Sequence, residues 1–525
     1  MRELMSIREV TEVMKEFFTR KTMVFAMRAV AVWAAAAGLA FLSAAPMRAQ
    51  QAGAAHPCLV RKDADGLRKA LPACWYEKAA GIKVVTFKKN LHYGFELSLK
   101  PDMLSKELDQ IRHEGFSAIE IFAPAEGLQA YNGLDIENFF RIDPELGTMA
   151  DFRRAVHLAH EKKLAVIVFL NIGYFSVEAP DWKQAEREKR AGLHEGKVNW
   201  FLWSDRPDAP APPAEEDMYV TPQQREKYKD YWGWHYCRAA NAYFWSRWKA
   251  NAPDGTVIPL PELNWGDAGW RQEAKGIVTF WMDTGIDGML IDAASCDPYL
   301  TWGFNRTDIT DIISSYGNTL IDPEGGRGTE WITEAGYNTL HDYGMDYSRA
   351  VETGDPEKLE AELNRYHDHV VEFGGQLYTA HWSNKFPDNP AKRHLEQALL
   401  VGVGGIVVYT KGEGNPDEEE ARNLRLKRAH SALQSTALRS ALKTNADNKY
   451  YAVLKTARNR SERMVAVYNF QSSPQTVEVE LGVLDTRGLV DAETGQVIPA
   501  PDQFHPVAVK LPAYGYRFFT VLPRR

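Results

Sequence analysis

The sequence predicts an α/β protein built on a parallel barrel with helices outside, followed by a small antiparallel β domain. Three observations carry that expectation. Short uninterrupted apolar runs recur between helix-patterned stretches through the middle of the chain, as buried parallel strands require. No Gly-rich phosphate loop opens a helix, which counts against an open doubly wound nucleotide-binding sheet. From about Lys443 the texture changes to strands separated by polar turns, the mark of an antiparallel unit.

In chain order, residues 1–49 read as a targeting segment. Arg20, Lys21 and Arg28 precede the uncharged apolar run Ala29–Ala45, and Ala49 offers a small-residue cleavage position before Gln50. The expectation is an exported protein, secreted or periplasmic, that keeps no membrane contact once the segment is removed; an uncleaved anchor is the alternative. Met23 or Met27 is an alternative start. In an oxidising compartment Cys58 and Cys74 could pair and pin residues 50–90, an N-terminal extension, whereas Cys237 and Cys296 read as buried thiols. Barrel residues are expected at 91–170 and 267–440. A strand is read after Tyr93-Gly94-Phe95, a helix from Pro101 to Gly115, and a strand at Ala118–Phe122. The helix Met149–Lys163 then leads to the strand Ala165–Leu170. Later strands are read at Gly288–Asp292, Trp331–Glu334, Leu377–Thr379 and Gly405–Tyr409.

Residues 171–266 break the rhythm with Pro207-Asp-Ala-Pro-Ala-Pro-Pro213 and many aromatics, including Trp200, Trp203, Trp232, Trp234, Trp245 and Trp248. That apolar mass marks an inserted subdomain rather than a linker. Residues 441–525 form the antiparallel domain, with strands at Tyr450–Leu454, Met464–Tyr468, Thr476–Glu480 and Tyr516–Leu522.

Charge and composition narrow the partners. A net charge of −8 argues against nucleic acid, which selects a basic surplus. The chain carries 15 Trp, 22 Tyr and 23 Phe, which suit either core packing or a sugar-binding cleft. Polar residues at the C-terminal ends of barrel strands form active sites in such folds. Asp292 closes Gly288-Met-Leu-Ile, and Glu334 closes Trp331-Ile-Thr. One such carboxylate more often caps a helix. Two on successive strands suit glycoside hydrolysis, one protonating the leaving oxygen and the other attacking or stabilising the anomeric centre. No His-rich spacing accompanies them, so no metal is expected.

Three segments point to a family. Gly133-Leu-Asp-Ile-Glu-Asn-Phe-Phe-Arg-Ile-Asp-Pro-Glu-Leu-Gly-Thr148 with Asp151-Phe152 is similar to GYD…Y..IDP..GT..DF. Asn199-Trp-Phe-Leu-Trp-Ser-Asp205 is similar to DWYVW.D. Pro261-Glu-Leu-Asn-Trp265, Trp270-Arg271 and Phe280-Trp-Met-Asp-Thr-Gly-Ile-Asp-Gly288 are similar to PDLNW…VR…FWLD.GVDG. Over roughly residues 90–520 the chain resembles the alpha-amylase superfamily, glycoside hydrolase family 13. The resemblance implies a (β/α)8 TIM barrel, a domain B inserted after strand 3, and a C-terminal antiparallel β-sandwich domain. It implies a retaining glycosidase or transglycosidase acting on α-glycosidic bonds of oligo- or polysaccharides, with Asp292 as nucleophile and Glu334 as acid/base.

Asp135 matches the Asp of GYD and His381 the His of NHD, both expected to bind substrate. Trp382 stands where the family has its third catalytic carboxylate, and Asp388 is a candidate replacement. Leu134 replaces a stacking Tyr, and Leu290 replaces the Arg two residues before the nucleophile. In Asn171-Ile-Gly-Tyr174, Gly173 and Tyr174 occupy the positions of an Asn-His pair. Tyr174 is therefore a substrate-binding candidate, and the calcium site common in amylases is not supported. No cofactor is expected. The alternative reading is a catalytically impaired, carbohydrate-binding relative.

Overall fold

The computed structural model describes residues 58–523 except 64–65, 89–90, 92, 129–132, 145–146, 211–229, 253, 293, 295–308, 326–327, 382, 483 and 501–503. The expected targeting run, Cys296 and Trp382 lie outside the described residues.

Strand 1 of the barrel is Gly81–Thr86, strand 2 Ala118–Ile121, strand 3 Ala165–Leu170 and strand 4 Gly288–Ile291. Strand 5 is Leu320–Pro323, strand 6 Thr339–Asp342, strand 7 Gln376–Ala380 and strand 8 Ile406–Tyr409. Parallel ladders join them in the order 5-4-3-2-1-8-7-6. Period-two alternation sorts each strand into two faces. In strand 4, Met289 and Ile291 pack toward the helices, while Leu290 joins Ile82, Ala118, Ile167 and Ile406 in the lumen. Burying one such side chain contributes about 1.5–3 kcal/mol, so the lumen is a packed core.

The seam between strands 5 and 6 is built differently. Asn338 donates from Nδ2 to Thr319 O at 2.7 Å and accepts from Ile321 N at 2.9 Å, and Thr339 Oγ1 donates to Ile321 O at 2.9 Å. With one backbone bond, Asn338 N–H to Ile321 O at 3.3 Å, these side chains close the barrel there.

Local sequence sets the helix ends. Pro101–Glu114 starts with Pro in its first turn and stops at Gly115, whose φ of 110° and close approach to Leu424 exclude a side chain. Met149–Glu161 begins with a Thr148/Asp151 capping box, and Ala268–Met282 with Asp267 accepting from Trp270 N. Between strand 3 and that last helix lies the insert: a helix at Pro180–Arg190, a three-stranded sheet and the hairpin Trp248–Asn251/Val257–Leu260. The C-terminal domain has a six-stranded antiparallel sheet and a two-stranded one, Gln475–Val479 with Val507–Leu511, around a core that includes Val465, Val467, Val477 and Phe519.

The floor of the barrel comes from the N-terminal segment. Leu71, Trp75 and Tyr76 cover the lumen from below, and Cys58 and Cys74 form a disulfide. Asp287, just before strand 4, accepts from Arg68 Nε at 3.0 Å and Val166 N at 2.8 Å and lies 2.7 Å from His160 Nε2. Among the described residues no helix is long and apolar enough to cross a membrane.

Two expected strands are corrected. The first barrel strand is Gly81–Thr86, inside the stretch assigned to an extension; only Phe95–Glu96 is extended after Tyr93, and it pairs with the end of strand 1. Lys83 hid it, because a charge sits mid-strand; Lys83 faces the helices and bonds Glu114 at 2.8 Å. Trp331–Glu334 is not a strand. Glu330–Thr333 is one helical turn in which Trp331 is buried and packs on Tyr337, while Thr333 and Glu334 are exposed.

Candidate active site

Strands 4 and 5 bring two carboxylates to the C-terminal mouth of the barrel. Asp292 follows strand 4, and its N–H donates to Leu170 O at the end of strand 3 at 2.9 Å. Asp292 continues the parity of Leu290, so it belongs to the lumen face. Glu324 follows strand 5, and its N–H donates to Ile291 O at 3.0 Å. Backbone pairing therefore holds Glu324 directly beside Asp292, and the two share a side-chain hydrogen bond.

Burial is the largest influence on Asp292, which is only 8 % exposed. Burial, then the charge of Glu324 and the bond between them, push its carboxyl well above the usual carboxylate range. Tyr174 pulls the other way: its hydroxyl donates to Asp292 Oδ2 at 3.2 Å. The Tyr174 ring stacks on Trp248 of the insert at 5.3 Å, and Trp248 adjoins Arg247, which is paired with Glu262. The insert thus supports the side chain that holds Asp292.

The other sequence-derived residues divide. Asp135 is buried at the start of the strand Asp135–Ile142, and Leu134 O accepts from Asn171 Nδ2 at 2.8 Å, which places this corner beside Tyr174. Tyr174 is a partner of Asp292 rather than an open subsite wall. Asp388 lies in an exposed turn before the helix Pro390–Val403. His381 has the outward parity. Its Nδ1 lies 2.5 Å from Glu396 Oε2 and its Nε2 3.5 Å from Glu420 Oε1, both on helices outside the barrel. Burial would lower its pKa, but Glu396 and then Glu420 hold it up to about 9. The reading of His381 as a substrate ligand is corrected: this imidazole ties strand 7 to the helical layer.

Glu334 stands on the exposed helical turn after strand 5, and Glu324 occupies the strand end where an acid/base was expected. Sequence reasoning missed Glu324 because Leu320-Ile-Asp-Pro323 does not read as an apolar run. The usable signal was its place at the next strand end after Asp292, with Gly325 closing the segment. At the family's Asn-His position, Gly173 supplies no side-chain oxygen and its carbonyl accepts from Leu263 N at 2.9 Å. The residues present there do not fit a calcium site of that kind.

Comparison with known proteins agrees with this architecture. The alpha-amylase catalytic-domain family matches residues 103–319, and the C-terminal domain of sucrose hydrolase-like proteins matches 462–520. Over these segments the chain is similar to the alpha-amylase family, glycoside hydrolase family 13. A probable oligo-1,6-glucosidase 3 from Bacillus subtilis (strain 168) is 27% identical over 187 residues, 36% of this chain and 30% of that protein. A trehalose synthase from Thermus thermophilus is 30% identical over 171 residues, 32% of this chain and 15% of that protein. The matched stretches thus span less than a third of these curated relatives. The crystal structure of the alpha-amylase from Geobacillus thermoleovorans complexed with acarbose superposes with a TM-score of 0.62 at 15% identity, covering 86% of this chain and 99% of that one. That likeness is one of fold.

Proposed function

We propose that this chain is a family 13 member that cleaves or transfers glycosyl units at α-glycosidic bonds of oligosaccharides by a retaining double displacement. Asp292 is the nucleophile and Glu324 the acid/base. The observation that carries the reading is the adjacency of these two carboxylates at the ends of neighbouring strands, with Tyr174 donating to the nucleophile. Glu324 protonates the leaving oxygen as Asp292 forms a bond to the anomeric carbon; Glu324 then takes a proton from water or an acceptor hydroxyl, which displaces Asp292.

Leu134 and Leu290 make the innermost pocket apolar, so turnover on starch is expected to be weak and a different or modified glycosyl unit preferred. Export of the mature chain is part of the proposal, supported by the Arg28-led apolar run and by the Cys58–Cys74 disulfide, which suits an oxidising compartment.

A second reading has one observation in its favour. A carboxyl raised as Asp292 is resists ionisation, which suits a sugar-binding protein without turnover. Hydrolysis of an aryl α-glucoside, with the anomer of the first product followed by proton NMR, separates the two. The proposal expects an α-configured product and loss of turnover in Asp292→Asn and Glu324→Gln. Calorimetric binding of an oligosaccharide with no turnover across an α-glycoside panel selects the second reading. Wild-type rates in Glu324→Gln, with loss in Glu334→Gln, would return the acid role to Glu334.

A further inference from the structure

Beneath the carboxylate pair lies a second buried polar group. Tyr378 on strand 7 donates its hydroxyl to Glu120 Oε2 on strand 2, across the lumen. His341 on strand 6 is the ladder neighbour of Tyr378 and stacks on its ring, with centroids 5.2 Å apart. His341 Nδ1 meets Asp322 Oδ2 of strand 5 at 3.1 Å, and Asp322 Oδ1 accepts from Thr339 Oγ1 at 2.7 Å. Thr339 also donates to Ile321 O, which makes it level with Ile321–Asp322. Two residues on, His341 is level with Pro323–Glu324. It therefore sits in the layer of the acid/base, on the adjoining strand.

A lumen that holds the buried carboxyls of Glu120, Asp322 and Asp292, with Glu324 half-buried at its mouth, favours a positive charge, because burying carboxylates is costly. Leu290, two residues below Asp292, provides none. We propose that His341 is a cation of this lumen, a positioning residue that pairs with Asp322 and places positive charge beside Glu324 and, through it, Asp292. The inference rests on reading Glu324 and Asp292 as the reacting groups.

The groups facing His341 are Asp322 and Glu324 from strand 5, Glu120 from strand 2, Tyr378 from strand 7 and the Tyr343 ring at 4.7 Å. Burial would lower the imidazole, yet Asp322 first, then Glu324 and Glu120, hold it above its ordinary value. Burial pushes Glu120 up to about 8, so at neutral pH it is largely a neutral hydrogen-bonding group. The His341–Asp322 pair then lies beneath the Asp292–Glu324 pair.

The test reads His341 directly. In the full chain labelled with 15N-histidine, the His341 signal is assigned by its loss in His341→Gln. Its midpoint should lie above the ordinary histidine value of about 6.5. It should fall by about one pH unit in Glu324→Gln, as removal of a nearby opposite charge requires. A midpoint at or below the ordinary value, or one unmoved by Glu324→Gln, overturns the proposal. Where the enzyme turns over, His341→Gln should move the acidic limb of kcat/KM to higher pH, since a lost cation makes carboxylate ionisation harder. A purely structural role would lower the rate and leave that limb in place, which also overturns it. If no α-glycoside is turned over while the histidine shift appears, the glycosidase reading fails and the His341–Glu324 coupling stands.

Discussion

Strand 4 carries a buried aspartate at each end, and the two have opposite fates. Asp287, below the strand, meets Arg68, His160 and the Val166 N–H. Burial alone would raise it, but His160 and then Arg68 more than offset that, and its pKa is lowered. Asp292, above the strand, meets a second carboxyl and one tyrosine hydroxyl, and its pKa is raised. Residue type, burial and strand are the same; the partners differ. The lower end of the barrel satisfies its charge completely, and the upper end leaves it poised. That is the division between stability and chemistry expected for the two faces of such a barrel.

The contrast can be broken most forcefully at the upper end. Glu324→Gln should reduce turnover by about 10²–10⁴-fold, the range for loss of a general acid/base, while Glu334→Gln leaves it within about twofold, since exposed surface positions seldom matter. Steady-state rates on whichever α-glycoside is turned over decide this.

At the lower end the expected effect is on folding. Asp287→Ala removes one partner of a buried ion pair and should cost about 3–5 kcal/mol in denaturant unfolding. Asp292→Asn, by contrast, should leave the protein at least as stable as wild type. The pH dependences follow with opposite signs. The folded pKa of Asp287 is depressed, so its contribution is complete above its unfolded value near 3.8 and disappears as acid takes the pH below that. The folded pKa of Asp292 is raised, so its ionisation subtracts stability progressively as pH climbs from about 3.8 toward the folded value. Stability curves for the two variants against wild type should diverge in opposite directions; parallel curves would remove the comparison.

Replacing both Cys58 and Cys74 by Ala should cost about 3 kcal/mol, the figure for a closed loop of this length. Thermal melts should shift down while kcat is unchanged, because the disulfide anchors the floor and not the mouth. The smallest effect belongs to Tyr174→Phe. Loss of its donor to Asp292 should lower turnover by about tenfold, or ~1.4 kcal/mol, and move the acidic limb of the pH profile upward. An unchanged limb would mean that the hydroxyl does not restrain Asp292.

Legibility in the sequence followed the same divide. Strands 2, 3, 4, 7 and 8 were visible because apolar residues dominate them, Glu120 in strand 2 and Thr379 in strand 7 being among the polar exceptions. Strands 5 and 6 were not, because their lumen faces carry Asp322, Thr339 and His341, charges and hydroxyls whose partners sit on other strands. Asp292 was found because an apolar run points at it. Glu324 was overlooked behind Asp322-Pro323, and Trp331-Ile-Thr drew attention to Glu334 although one helical turn accommodates those residues as well. His381 shows the remaining gap: a residue past a strand end faces the mouth or the helices according to a parity that shifts with a single position.

The seam of side chains between strands 5 and 6 has a dynamic consequence. Elsewhere around the barrel each strand is clamped on both edges by backbone ladders, which open only cooperatively. Here Asn338 and Thr339 do the joining, so the cheapest local opening should begin at this stave, and amide exchange in strand 6 should be the fastest of the eight. Glu324 stands on one lip of that opening and His341 on the other. The first local opening of the barrel is therefore expected beside its carboxylate pair.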